Sequence, residues 1–262
     1  MFYTLVMLTE FIISPEIALF LFIIALLAGF LDTLAGGGGL LTVPALLLTG
    51  MPPLLALGTN KFQSCFGTAT ASFHMFKSKL VSPKECWPLM LSAFIGSLIG
   101  TIAVQFINVE QLKLIIPVVL ALICIYFIID PKAKSAAKTP LLSKKSYQLG
   151  PVPAIGFYDG MFGPGTGTFF ALAGVATRSQ SLLRSTAFAK TMNFATNFAS
   201  FLLFFALGKV AFVIGAVMIV GQLIGAQIGS KMLLNIPRQV LRWIIVLACL
   251  AMLGKYVYQY FF

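Results

Sequence analysis

Apolar runs long enough to cross a lipid bilayer recur along the whole chain, separated by short polar breaks. A membrane helix needs about 20 apolar residues at 1.5 Å rise each. Leu54–Phe76, Cys86–Ile107, Leu112–Ile129, Thr186–Leu207, Val210–Met232 and Val240–Tyr258 read as full-length spans. Two further regions do not fit one span. Ile17–Thr49 is too long for one helix and too short for two; Gly36 to Gly39 interrupt it, and Pro44 follows. Pro151–Thr177 is interrupted by Gly163, Pro164, Gly165 and Gly167. Each predicts a broken element, two helical pieces meeting inside the membrane. Such backbone is tolerated at that depth only where it is buried in protein or lines a cavity.

The pattern also repeats. Gly29-Phe30-Leu31-Asp32 is matched by Gly156-Phe157-Tyr158-Asp159, and a glycine-rich break follows each. Lys61 is then matched by Lys190, Ser64 by Asn193, and the segment Gly96 to Gly100 by Gly221 to Gly225. Asn108-Val109 and Asn235-Ile236 close the series. Matches in one order predict an ancient duplication, as in many secondary transporters. The expected architecture is an all-α polytopic membrane protein with two pseudo-symmetric repeats, 15–130 and 151–260, in a single membrane domain. A polar linker, 131–150, joins them. Each repeat is a broken or re-entrant helix pair plus three transmembrane helices.

Charge orients this arrangement. If each broken element enters and leaves on the same side, Lys77, Lys79, Lys84, the five linker lysines, Arg178, Arg184, Lys231, Arg238 and Arg242 share one face. Only Lys113, Lys209 and Lys255 then lie opposite. A single crossing per broken element gives a far weaker bias. The positive-inside rule selects the first topology, with the basic face cytoplasmic and the repeats inverted.

Composition agrees. Hydrophobic residues make up 59% of the chain and charged residues 10%, and the mean hydropathy is +0.99. A soluble domain carries about 25% charged residues. The net charge of +11 raises nucleic acid as a partner, but the basic residues sit in membrane-edge breaks with no stacking aromatics among them, so none is expected. Cys65, Cys86, Cys124 and Cys249 show no paired spacing and read as buried thiols. One histidine, His74, excludes a histidine-rich metal site. No cofactor is expected. The N-terminal segment Met1 to Phe11 lacks a basic leader pattern and reads as part of the protein. Trp87, Trp243, Tyr256, Tyr258 and Tyr260 read as interfacial aromatics.

Among the seven acids only Asp32 and Asp159 fall well inside apolar regions, and among the basic residues only Lys61 and Lys190 lie deep in membrane-length runs. An ionisable group at bilayer depth costs at least about 2.5–3.5 kcal/mol, so it faces a cavity or a partner. Both signs occurring twice in register suggest one site at the repeat interface; two structural salt bridges are the alternative. The glycines Gly36, Gly37, Gly38 and Gly39 precede one short helical piece, and Gly163, Gly165 and Gly167, with Thr166, precede another. A helix N-terminus carries partial positive charge and free N–H donors, which suits an anion. Close helix packing is the alternative for such glycines. Lys61 and Lys190 would add point charges. Asn60, Ser64, Asn193 and Asn197 would add neutral hydrogen bonds. Asp32 and Asp159 either couple transport to protons or hold the half-helices in place.

These motifs together resemble the TauE/SafE family of sulfite and organosulfonate exporters. The resemblance rests on the segment Ala28 to Pro44, on Thr59-Asn60-Lys61, on Gly156 to Pro164 and on Lys190 with Asn193. It implies a secondary transporter in the bacterial inner membrane, working by alternating access, for a sulfur-containing or carboxylate anion, and often an exporter. Pro164 and Thr166 stand where Gly37 and Gly39 stand, so the two half-sites are expected to be unequal. An anion channel of the same architecture is the competing reading. No hydrolase or metalloprotease motif supports an enzyme. The expected partners are a small anionic solute and membrane lipid, and homo-oligomerisation is left open.

Overall fold

The computed structural model describes residues 14–35, 38–129, 139–232 and 238–261, and helices with short connections account for them, with no strand. In chain order the helices are α1 (Pro15–Ala35), α2 (Gly39–Leu48), α3 (Pro53–Lys77), α4 (Pro83–Gln105) and α5 (Val109–Ile129). Then come α6 (Lys144–Leu149), α7 (Pro151–Met161), α8 (Thr166–Arg178), α9 (Leu182–Ala206), α10 (Phe212–Met232) and α11 (Arg238–Phe261). The N-terminal segment to Ile13, Gly36, Gly37, residues 131–138 of the linker and the Asn235-Ile236 match lie outside the described residues.

Proline and serine set several helix starts. Pro83 opens α4, where Ser82 accepts from the Glu85 N–H and the Glu85 side chain reaches back to the Ser82 N–H. This reciprocal cap satisfies two orphan donors. Ser181 caps α9 by accepting from the Arg184 N–H. Ser143 caps α6 in the same way through Ser146. The α6 turn falls in the stretch expected to be polar linker, because a local cap and the buried Tyr147 hold it.

Glycine seams fix how the helices run. Gly221, Gly225 and Gly229 of α10 lie against Phe22, Leu26 and Phe30 of α1, in the same order, so these helices are parallel. Gly96 and Gly100 of α4 lie against Pro153 and Phe157 of α7, again in parallel. In both seams a side chain on the glycine would run into a backbone carbonyl. Small residues let helices approach closely where lipid offers no hydrophobic drive. Gly225→Val should therefore destabilise the fold by about 1–3 kcal/mol, the usual cost of overpacking. The expected readout is a lower melting temperature in detergent, with Val on the lipid-facing neighbour Ile224 as a silent control.

The centre is built from α3 and α9, which run antiparallel: Phe62 stacks on Phe201, and Ser72 donates to the Lys190 carbonyl. α3 runs parallel to α10, since Phe62 meets Gly215 and His74 meets Gln227. α4 runs parallel to α9, since Glu85 pairs with Arg184 and Ser97 donates to the Thr196 carbonyl. So α1, α3 and α10 point one way, and α4, α7 and α9 the other. Because α1 and α3 share a direction, α2 brings the chain back to the end where α1 began. The ends of α3 and α10 and the starts of α4 and α9 thus share one mouth of the bundle, with Lys77, Lys84, Arg184 and Lys231. Lys209, bonded to Gln105, lies at the other mouth.

Large apolar side chains face outward, and a cluster of polar residues is buried within the otherwise apolar interior. Leu19, Ile23, Ile95, Ile99, Leu122 and Val220 are exposed, while Thr59, Asn60, Gln63, Thr196 and Asn197 are buried. A membrane protein sorts its residues this way because lipid tails are the outer solvent. Among the described residues α1, α4, α5 and α10 are long and apolar enough to cross a membrane. The central α3 and α9 are long but more polar, and they can be, because most of their polar residues are buried against protein while residues such as Phe73 and Phe205 face outward.

Two expectations change. α1 is a 21-residue helix, long enough to span, and not a half-helix; the break comes after it. Tyr256 is not interfacial but buried, because α11 turns it toward the start of α5. Trp87, by contrast, is exposed near the start of α4. The four cysteines are buried free thiols, as the spacing suggested.

Candidate functional site

The two helix breaks bring Asp32 and Asp159 to one place. Asp32 lies in the last turn of α1, and its Oδ1 accepts from the Gly38 N–H at 3.4 Å. Asp159 lies near the end of α7, and its Oδ1 accepts from Thr166 Oγ1 at 2.7 Å. Each acid therefore ties the end of one helix to the start of the next. In the second break Gly163 and Gly165 have φ of 98° and 81°. Left-handed backbone of that kind favours glycine. The Tyr158 hydroxyl donates to the Pro164 carbonyl at 2.7 Å and braces the turn.

The lysines then cross between halves. Lys190 of α9 has its Nζ 3.3 Å from Asp32 Oδ2 and also donates to the Asp32 backbone carbonyl. Lys61 of α3 has its Nζ 2.9 Å from Asp159 Oδ1. All four side chains are buried. The two pairs are not equal. The Lys61–Asp159 contact lacks the angles of a directed hydrogen bond. Lys61 Nζ and Asp159 Oδ2 have no hydrogen-bond partner among the described residues. The Pro164 and Thr166 departure in the second break accompanies this inequality: Thr166 supplies a hydroxyl to Asp159, while Asp32 takes a backbone N–H.

Between the pairs lies a small cavity of about 20 Å³, lined by Asp32, Gly38, Gly39, Asn60, Ser64, Thr68, Asp159, Gly163, Gly165, Thr166, Gly167, Asn193, Asn197 and Gln222. That is room for roughly one water molecule. The starts of α2 and α8 both open on it, and beside it Gly39 packs closely against Pro164. Helix starts carry unsatisfied N–H groups and partial positive charge. Asn60 Oδ1 accepts from Thr42 at 2.5 Å and from Gln63 at 3.1 Å, which aims its amide nitrogen elsewhere. Asn193 Oδ1 accepts from Asn197 at 3.3 Å. Among the described residues neither the Asn60 nor the Asn193 amide nitrogen has an acceptor. The wall thus offers donors to an oxyanion, with two carboxylates neutralised by lysines behind them.

Most of the residues singled out from sequence meet here. Gly38, Gly39, Asn60, Ser64, Gly163, Gly165, Thr166, Gly167, Asn193, Asn197, Asp32 and Asp159 line the cavity. Lys61 and Lys190 stand one layer back, held by the acids rather than presented as free charges. Gly36 and Gly37 lie outside the described residues. Thr68 and Gln222 line the cavity but escaped the sequence reading. Gln222 carried a signal: it lies inside the Gly221 to Gly225 seam, where an apolar residue would be ordinary, and the matching position is Ser97. Its buried Oε1 has no partner among the described residues.

The family described as "Sulfite exporter TauE/SafE" matches residues 21–256. A "Probable membrane transporter protein" of Haemophilus influenzae is 39% identical over 247 residues, covering 94% of this chain and 97% of the relative. The "Probable membrane transporter protein YfcA" of Escherichia coli K12 is 39% identical over 249 residues, covering 95% of this chain and 93% of the relative. No solved structure matches the chain. Apolar spans around a buried polar centre, with a family match along nearly the whole length, lead to one conclusion: this membrane protein belongs to the TauE/SafE transporter family.

Proposed function

We propose that the chain is a secondary transporter of a small oxyanion, with sulfite, an organosulfonate or a related sulfur or carboxylate anion as substrate. The single observation carrying this is the convergence of two helix starts, α2 and α8, on one polar cavity with asparagine donors from α3 and α9. The anion is held by N–H groups, the Asn60 and Asn193 amides and the Thr166 hydroxyl. Lys61 and Lys190 act by cancelling Asp32 and Asp159, so the carboxylates do not repel it.

Alternating access follows from space. A cavity of about 20 Å³ is too small for a four-atom oxyanion, so binding needs the walls to part. The walls belong to two repeats, 15–130 and 151–260, read here as inverted copies. In support, α1, α3 and α4 run opposite to their counterparts α7, α9 and α10. Each ion pair bridges the repeats, so parting them strains a lysine–carboxylate contact, and anion binding offsets that cost. The mouth bearing Lys77, Lys84, Arg184 and Lys231 is the cytoplasmic one by the positive-inside rule. The setting is the bacterial inner membrane, and the direction is outward.

Counterflow in proteoliposomes against a panel of sulfite, thiosulfate, sulfoacetate and lactate tests this. Saturable exchange of at least one sulfur oxyanion, dependent on the purified protein, is expected. Flux of none of them, or flux that rises without saturation, contradicts the proposal.

A further inference from the structure

A second polar space lies at the mouth that gathers the starts of α4 and α9. It is a crevice of about 610 Å³, lined by Lys84, Glu85, Lys144, Tyr147, Arg178, Ser179, Gln180 and Arg184 among others. It shares no lining residue with the central cavity. Its size falls within the usual range of small-molecule sites, roughly 300–1,000 Å³.

Its charge is one-sided. Glu85 is the single acid of the wall. That acid is already engaged, 2.7 Å from Arg184 and 2.9 Å from the Ser82 hydroxyl. Lys84, Lys144 and Arg178 make no ion pair among the described residues. Arg178 is nevertheless held in place, because one of its nitrogens donates to the Leu142 carbonyl. That fixes the guanidinium plane and leaves its other N–H groups to a ligand. Ser179 follows Arg178 in left-handed backbone, with φ of 54°. Left-handed backbone at that place is a common way for a helix to end. The Ser179 hydroxyl is buried and has no hydrogen-bond partner among the described residues. Tyr147 and Phe188, both buried, close the apolar side.

We propose that this crevice binds a phosphate group, with Arg178, Lys84 and Lys144 as its ligands. A planar guanidinium suits a phosphate in bidentate fashion, and the lysines add charge. The apolar wall takes the carbon part of a phosphate ester. Because the crevice opens at a membrane edge, the phosphate arrives either as a lipid headgroup or as a free ester, and basic pockets between helices at such an edge take lipid headgroups. The site is independent of the transport reading, since the two walls are disjoint.

The test compares two charge-matched variants with the wild-type protein. Lys84→Gln/Lys144→Gln removes two charges from the crevice. Lys77→Gln/Lys79→Gln removes two charges from the same mouth outside it. Binding is read by native mass spectrometry with phosphatidylglycerol against phosphatidylcholine, and by calorimetry with inorganic phosphate and glycerol phosphate. The crevice variant is expected to lose phosphatidylglycerol or phosphate binding at least tenfold, and the control less than twofold. Selectivity for phosphatidylglycerol with no soluble binding identifies a headgroup site; binding of both identifies a phosphate site open to solvent. No binding by the wild-type protein, or equal losses in both variants, overturns the proposal. Arg178→Lys, which keeps the charge and loses the fork, is expected to bind more weakly than wild type, and unchanged affinity would remove Arg178 from the site.

Discussion

Replacing Lys61 alone with methionine should destabilise the protein by about 3–5 kcal/mol, because it leaves Asp159 buried and unpaired. The contact to be broken is 2.9 Å long and fully buried. The expected readout is a sharp loss of folded protein in the membrane and a lower melting temperature in detergent. Adding Asp159→Asn to the same chain removes the orphan charge, so most of the stability should return. Flux should not return: asparagine can still accept from Thr166, but the charged lysine–carboxylate contact that bridges the two repeats is gone. Recovery of both stability and flux would mean that the pair is a structural staple only. Loss of flux in Lys61→Met at normal abundance would instead mean that the lysine meets the anion directly.

Replacing Asn193 with leucine is expected to abolish flux, at least a hundredfold, with folded protein close to normal. Asn193 lines the cavity, and its amide nitrogen has no acceptor among the described residues. Leucine is of similar size and removes the donor, together with the Oδ1 that accepts from Asn197 at 3.3 Å. A hydrogen bond to a charged ligand contributes about 1.5–3 kcal/mol, and leaving the anion's oxygen unpaired adds a desolvation cost. Asn197→Leu should do less to flux and more to stability, since the Asn197 amide donates to the Asn193 carbonyl at 2.9 Å and serves the helix as much as the cavity. Initial exchange rates in proteoliposomes at equal protein content separate the two. Equal flux losses in both variants would weaken the specific role given to Asn193.

The buried charges were legible in the sequence because ionisable residues are costly in lipid and therefore conspicuous in apolar runs. Asp32, Lys61, Asp159 and Lys190 all stood out for that reason, and the glycine breaks stood out because they cut runs of membrane length. Which acid meets which lysine was not legible. The crossed pairing depends on α9 lying beside the α1 break and α3 beside the α7 break, a fact of tertiary packing. Thr68 escaped because threonine is unremarkable inside a protein-lined helix, and Gln222 because it sits within the Gly221 to Gly225 segment, which reads only as a repeat match. The split between two kinds of glycine was also hidden. Gly100 and Gly225 pack helices together, whereas Gly38, Gly163 and Gly165 line the cavity, and one residue type serves both because each needs a missing side chain.

The most direct test uses selenite, the heavier analogue of sulfite, soaked into crystals of the purified protein and located by its anomalous scattering. The proposal predicts a single strong peak between the starts of α2 and α8, within hydrogen-bond reach of Asn60, Asn193 and Thr166. A selenium peak confined to other parts of the molecule, or none in crystals of a protein that exchanges selenite in vesicles, would contradict it.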